Sequence, residues 1–142
     1  AYEISACLVG SEMCIRDSYD TLAHPDLIKN ESPSDWHFER ISPFIERALD
    51  RIAKTGVAME LNTSGANKAI REINPSPTIL RLMHARGIPV VLGSDAHRPT
   101  RVADGYADAL RTLQTVGYTE ISFFLDRRRQ TVPISAALGS LV

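Results

Sequence analysis

The chain has 142 residues, 44% of them hydrophobic and 23% charged, with a formal net charge of −1. This fits one globular domain and gives no hint of nucleic acid or a membrane surface as a partner. No run approaches the roughly 18 apolar residues of a membrane helix, and the sequence leaves the oligomeric state open.

Residues 1–18 stand apart. Glu3 and Glu12 interrupt their apolar character, and no basic n-region marks a secretory signal. The run from Leu8 to Ser18 resembles the in-frame translation of a transposon-based sequencing adapter. Residues 1–18 are therefore expected to be non-native and to lie outside the fold. Both cysteines, Cys7 and Cys14, fall in this segment. The remainder can form neither a disulfide framework nor a thiolate site, which fits a cytoplasmic enzyme.

From Tyr19 the chain alternates short apolar runs with amphipathic helices. Tyr19 to Ala23 reads as a strand ending at His24, where Pro25 stops any ladder. Asn30 to Ser34 reads as a polar loop. Ser42-Pro43 has the form of an N-cap followed by Pro in the first turn. Ile41, Phe44, Ile45, Ala48, Leu49, Ile52 and Ala53 recur at helical spacing before Gly56. Val57 to Leu61 reads as a buried strand, with a turn over Asn62-Thr63-Ser64-Gly65. Ser76-Pro77 opens a second helix, closed by Gly87, with His84 on its surface. Ile88 to Leu92 is continuously apolar, as a strand covered on both faces would be. A third helix carries Val102, Tyr106, Ala109, Leu110, Leu113 and Val116 up to Gly117. Ile121 to Leu125 is the last strand expected, Arg127-Arg128-Arg129 a solvated turn, and 133–142 a short terminal helix. Strands alternating with helices predict βα units on a parallel sheet or barrel, whose active sites lie at the carboxyl ends of the strands.

Polar residues gather at those ends: His24 and Asp26, Glu60 and Asn62, Asp95 and His97. In extended backbone, residues two apart share a side, so Asp95 and His97 are expected to project together, as a carboxylate and an imidazole suited to a divalent metal. The blander reading is a helix-capping Asp beside a surface His. His24-Pro25-Asp26 repeats the signal on another strand, so that both pairs would face one pocket. Lys68, Arg71 and Arg98 follow strand ends and could meet an anionic substrate, although each is equally well read as a solvated cation. His37 and His84 lack ligand spacing to another donor. No P-loop, dinucleotide fingerprint or nucleophile elbow occurs.

Three blocks, Ala23-His24-Pro25-Asp26-Leu27-Ile28-Lys29, Met59-Glu60-Leu61-Asn62-Thr63-Ser64-Gly65 and Leu92-Gly93-Ser94-Asp95-Ala96-His97-Arg98-Pro99, resemble in order and spacing those of the PHP-superfamily histidinol-phosphatases. Gly117-Tyr118-Thr119-Glu120 resembles the family's C-terminal end. The resemblance implies that 19–142 is the C-terminal part of a PHP domain, the last four or so strands of a distorted (βα)7 TIM-like barrel with a trinuclear site for Zn, Mn or Fe. On that pattern His24, Asp95 and His97 match metal ligands, Glu60 and Asn62 match residues lining the pocket, and Arg98 is a phosphate contact. Where the family often carries an Arg after Asn-Thr-Ser-Gly, this chain has Ala66-Asn67-Lys68, with Lys68 a substitute.

The implied activity is metal-dependent hydrolysis of a small phosphorylated substrate, histidinol phosphate, in histidine biosynthesis. Metal-activated water would attack phosphorus in line, without a covalent enzyme nucleophile. None of the four histidines forms the H-x-H pair with which the family begins. The chain by itself is therefore expected to be inactive, with its earlier ligands upstream. The alternatives are a PHP phosphoesterase for another small phosphate ester, a PHP domain linked to a DNA polymerase, and a non-catalytic fragment.

Overall fold

The computed structural model describes residues 19–141. The adapter-like segment and both cysteines lie outside the described residues. The described chain is a mixed α/β unit. A sheet of three parallel strands, β1 (Thr21–Leu22), β2 (Ala58–Asn62) and β3 (Val90–Gly93), runs in the order β1-β2-β3. Thr21 pairs with Ala58, and Met59 through Asn62 pair with Val90 through Gly93. Helices α1 (Phe38–Ala53) and α2 (Pro77–His84) fill the two crossovers. Helix α3 (Tyr106–Val116) follows β3 and leads to an antiparallel hairpin of β4 (Glu120–Leu125) and β5 (Arg128–Pro133), then α4 (Ile134–Gly139).

β2 is buried at four of its five positions, as the apolar run 57–61 predicts for a strand covered on both faces. Its Met59 and Leu61 join Leu49 of α1, Ile79, Leu80 and Met83 of α2, Val90 of β3, and Ala109, Leu110 and Leu113 of α3 in one core. α2 begins as its sequence dictates: the Ser76 hydroxyl accepts a hydrogen bond from the Ile79 amide, with Pro77 in the first turn. α3 ends on Gly117 at φ 118°, whose amide bonds back to Leu113. No helix among the described residues is long and apolar enough to cross a membrane.

Several expectations are corrected. Among the described residues there is no closed barrel and no fourth parallel strand: β4 pairs only with β5. The Met59 amide bonds to Pro89 O, so the carbonyls of Ile88 and Leu92 face the other edge of β3. Two phenols hold those carbonyls, Tyr118 Oη at 3.0 Å from Ile88 O and Tyr106 Oη at 3.4 Å from Leu92 O. Arg128 and Arg129 belong to β5. The turn is Asp126-Arg127, at φ 49° and 61°, the pair of positive φ values that a two-residue hairpin turn demands. It lacks the Asn or Gly that would have announced it.

α1 starts at Phe38, not Ser42, and carries Pro43 inside it. Proline cannot donate to Glu39 O four residues back, and the Ser42 hydroxyl reaches that carbonyl instead, at 3.3 Å. Phe44 and Ala48 of the apolar spacing are exposed, and the Arg47 guanidinium covers the Phe44 ring at 4.6 Å. The strand expected over Tyr19–Ala23 shrinks to Thr21–Leu22. The loop at Asn30–Ser34 carries short 3-10 turns over Leu27–Asn30 and Pro33–Asp35. Val102 is an exposed loop residue ahead of α3.

Candidate functional site

The carboxyl ends of the three parallel strands deliver His24, Glu60 with Asn62, and Asp95 with His97. Both His24 and Asp95 sit in left-handed backbone, at φ 49° and 48°. This region is uncommon for residues with a Cβ and is concentrated at functional sites. The turn at His24 aims its amide at Glu60 Oε2, 3.1 Å away. Its imidazole Nε2 lies 3.7 Å from the same oxygen and 3.9 Å from Asp95 Oδ2. The other Asp95 oxygen lies 3.9 Å from His97 Nδ1. Asp95 thus stands between two imidazoles, and Glu60 backs the first.

Asp95 and His97 come together for a different reason from the expected one. β3 ends at Gly93, and the left-handed turn at Asp95 breaks the extended alternation. His97 folds back so that Nδ1 meets the Asp95 carbonyl at 2.9 Å. A carbonyl only accepts, so Nδ1 carries a proton; in the neutral ring this leaves the lone pair on Nε2, the tautomer a metal ligand needs. His97 is otherwise highly exposed, with 84% of its side chain open to solvent.

Two imidazoles and two carboxylates are a suitable donor set for Zn, Mn or Fe. With bonds of about 2.0–2.2 Å, tetrahedral donors stand roughly 3.4 Å apart, a few tenths closer than His24 Nε2 stands to Glu60 Oε2 and Asp95 Oδ2; His97 meets Asp95 through Nδ1, so its Nε2 is not yet turned into the group. No three donors converge into a complete metal-holding group among the described residues. The residues fit part of a metal site that further donors would have to complete.

Asn62 is fully buried. Its Oδ1 accepts from the Ser64 amide at 2.9 Å, shaping the turn that sets Ser64 Oγ 3.4 Å from Asp95 Oδ2. Lys68, Arg71 and Arg98 are exposed. Among the described residues none is bonded to the His24–Glu60–Asp95 group. Asp26 departs most from expectation: it is buried, away from the strand-end cluster, where Oδ2 accepts from Lys29 Nζ and from the Ser76 amide, both at 2.9 Å. Burial pushes its carboxyl up, with Lys29 and the Ser76 amide working the other way.

Lys29, Gly93 and Tyr106 were not singled out by sequence. The i,i+3 spacing of Asp26 and Lys29 was a readable pairing signal, but nothing local marked it as buried. Tyr106 reads as a core residue of α3, yet its phenol reaches the end of β3. Its ionisation is pushed up by burial and by the Glu60 charge, against the Ser94 side chain.

No family model matches the chain. Over 115 residues it is 36% identical to a Deinococcus radiodurans protein named "Probable histidinol-phosphatase", covering 81% of this chain and 42% of that protein. Over 104 residues it is 31% identical to a Thermotoga maritima protein of the same name, covering 72% of this chain and 43% of that one. The chain therefore spans about two fifths of the length of the curated relatives it matches.

Proposed function

We propose that this chain carries the C-terminal part of a metal-dependent phosphomonoester hydrolase that converts histidinol phosphate to histidinol and phosphate. The observation that carries the reading is the strand-end cluster in which Asp95 stands between His24 and His97, with Glu60 behind. The names of the two relatives support the substrate, and the order of the three motif blocks supports a PHP-type barrel completed by upstream strands.

In this reading His24, Asp95 and His97 would hold divalent ions, three of them in the complete site, and Glu60 would line the pocket. Such ions supply Lewis-acid chemistry, acidifying a water and neutralising charge on phosphoryl oxygens. The protein's own part is positional. The Nδ1–H bond of His97 to the Asp95 carbonyl fixes which nitrogen faces the ligand. The His24 amide, directed at Glu60 Oε2, orients that carboxylate. Arg98 and Lys68, which follow the ends of β3 and β2, would be the phosphate contacts that offset ester charge.

The chain on its own is inactive, because three ligands from two strand ends cannot hold three ions. Sequencing across the Ser18–Tyr19 junction tests the assignment at its root: upstream codons with an H-x-H motif are expected, and a stop or unrelated sequence there defeats it. Isothermal titration with Zn2+ or Mn2+ tests the cluster directly. Uptake equal in wild type and in an Asp95→Asn/His97→Ala variant would dispose of the metal centre. Turnover of histidinol phosphate by the chain alone would overturn its inactivity.

A further inference from the structure

Lys29 is fully buried, and its ammonium spends all three protons on three partners: Asp26 Oδ2 at 2.9 Å, Glu72 Oε2 at 3.0 Å and the Ile73 carbonyl at 2.9 Å. A buried ammonium is a poor device for stability, since an apolar side chain of the same volume often serves as well or better. What it supplies is a fixed geometry. Two of the three partners lie on the segment 72–76, and Asp26 grips the same segment again through the Ser76 amide.

That segment is wired to the candidate site. Asn74 and Asn62 exchange backbone hydrogen bonds in both directions, at 2.6 and 3.0 Å, where β2 ends. Gly65 is pressed against the same segment: a Cβ there would collide with the Glu72 carbonyl and stand 2.9 Å from Asn74 Nδ2. Between these two anchor points runs the turn in which Asn62 Oδ1 accepts from the Ser64 amide and Ser64 Oγ meets Asp95. A continuous polar path thus joins a buried cation to a carboxylate of the strand-end cluster.

We propose that Lys29 is a positioning residue: by clamping segment 72–76 against the end of β2, it sets the Asn62–Ser64 turn that aims Asp95. The consequence for metal uptake rests on the function proposed above, whereas the consequence for the turn does not. Two variants of the full chain test it. Lys29→Met removes the clamp outright. Glu72→Gln, at a side chain 37% exposed, weakens it while leaving the Asp26 pair, and it decides the matter alone if Lys29→Met fails to fold.

Amide hydrogen exchange is expected to quicken about tenfold at Asn62, Ser64 and Asn74, while α1 and α3 keep their protection. Equal acceleration everywhere reduces Lys29 to a merely structural residue and overturns the proposal, as does no change. Titration with Zn2+ is expected to show uptake about tenfold weaker in both variants, within the range that outer partners of ligands command. Altered exchange with unchanged zinc affinity overturns the link to Asp95. If wild type takes up no zinc, the metal reading falls, and the exchange data still decide whether Lys29 sets the turn.

Discussion

Glu60 occupies the space in front of Gly93: a Cβ at position 93 would stand 2.7 Å from Glu60 Cδ and collide with its carboxylate oxygen. The two residues lie on neighbouring strands, two residues apart in register, with Glu60 opposite Val91 and Asn62 opposite Gly93. The absence of a side chain on β3 is what allows a carboxylate from β2 to lie across the strand ends and reach His24.

Gly93→Ala is therefore expected to push Glu60 off His24. Overpacking of this kind costs about 1–3 kcal/mol, which a urea melt would register. The sharper expectation is chemical: metal uptake falls in Gly93→Ala as it does in Glu60→Ala. A Gly93→Ala chain that binds metal as wild type does would show that Glu60 plays no part in the site.

Substitutions within the cluster should rank by burial and by number of partners. Asp95 meets His24, His97 and Ser64, whereas among the described residues His97 has a polar contact with Asp95 alone. Asp95→Asn is expected to weaken Zn2+ binding more than His97→Ala, and each by about tenfold or more. Neither should lower thermal stability much, since both positions are open to solvent and surface changes usually fall within ~0.5 kcal/mol. Parallel titration and thermal melts would check both halves, and a reversed order would point to His97 as the principal ligand.

Much of this arrangement was legible in the sequence, and the parts that were not share a physical cause. The Ser76-Pro77 start, the glycine stops and the apolar runs of β2 and β3 are local signals, and the structure follows them. Asp95 and His97 were correctly paired, but through alternation in an extended strand. The actual cause is a left-handed turn at Asp95, a conformation Asp tolerates better than most residues but one that no glycine or asparagine announces there. Asp26 was grouped with His24 because the two are close in sequence. Its real partners, Lys29 and Ser76, are set by a contact between the first crossover and the start of α2 fifty residues on. The hairpin at Asp126-Arg127 was missed because Arg127 stands where such a turn usually has glycine, held at positive φ by strand pairing on either side.

The buried position of Asp26 gives stability a definite pH slope. Its folded carboxyl titrates above the ordinary value of 3.8, chiefly because burial disfavours its charge. Among the described residues Oδ1 is buried without a partner, consistent with that cost. As pH rises above 3.8 the unfolded chain releases this proton first, so the folded state binds more protons and stability falls until the folded pKa is passed. Asp26→Asn removes that term. Urea unfolding across the acidic range, comparing the two proteins, should show wild type losing ground to Asp26→Asn as pH rises. A difference that is flat with pH would contradict the upward shift.

Tyr118 presents the same physics at the alkaline end. Its hydroxyl donates to the Ile88 carbonyl at 3.0 Å, and its ring meets the His84 imidazole edge-on at 4.8 Å. Burial pushes the phenol well above its ordinary value of 10.0, and the bond to Ile88 O can be made only by the protonated form. Beyond pH 10 the unfolded chain ionises this tyrosine while the folded chain does not, so stability should decline as pH climbs. Tyr118→Phe keeps the ring and its contact with His84 but leaves the Ile88 carbonyl without its donor. The variant is expected to lose about 1 kcal/mol at neutral pH and to be less sensitive to alkali than wild type. Urea melts from neutral pH to beyond pH 10 measure both effects. If the two proteins decline in parallel, Tyr118 ionises as freely folded as unfolded, and its bond to the open edge of β3 is not holding that strand.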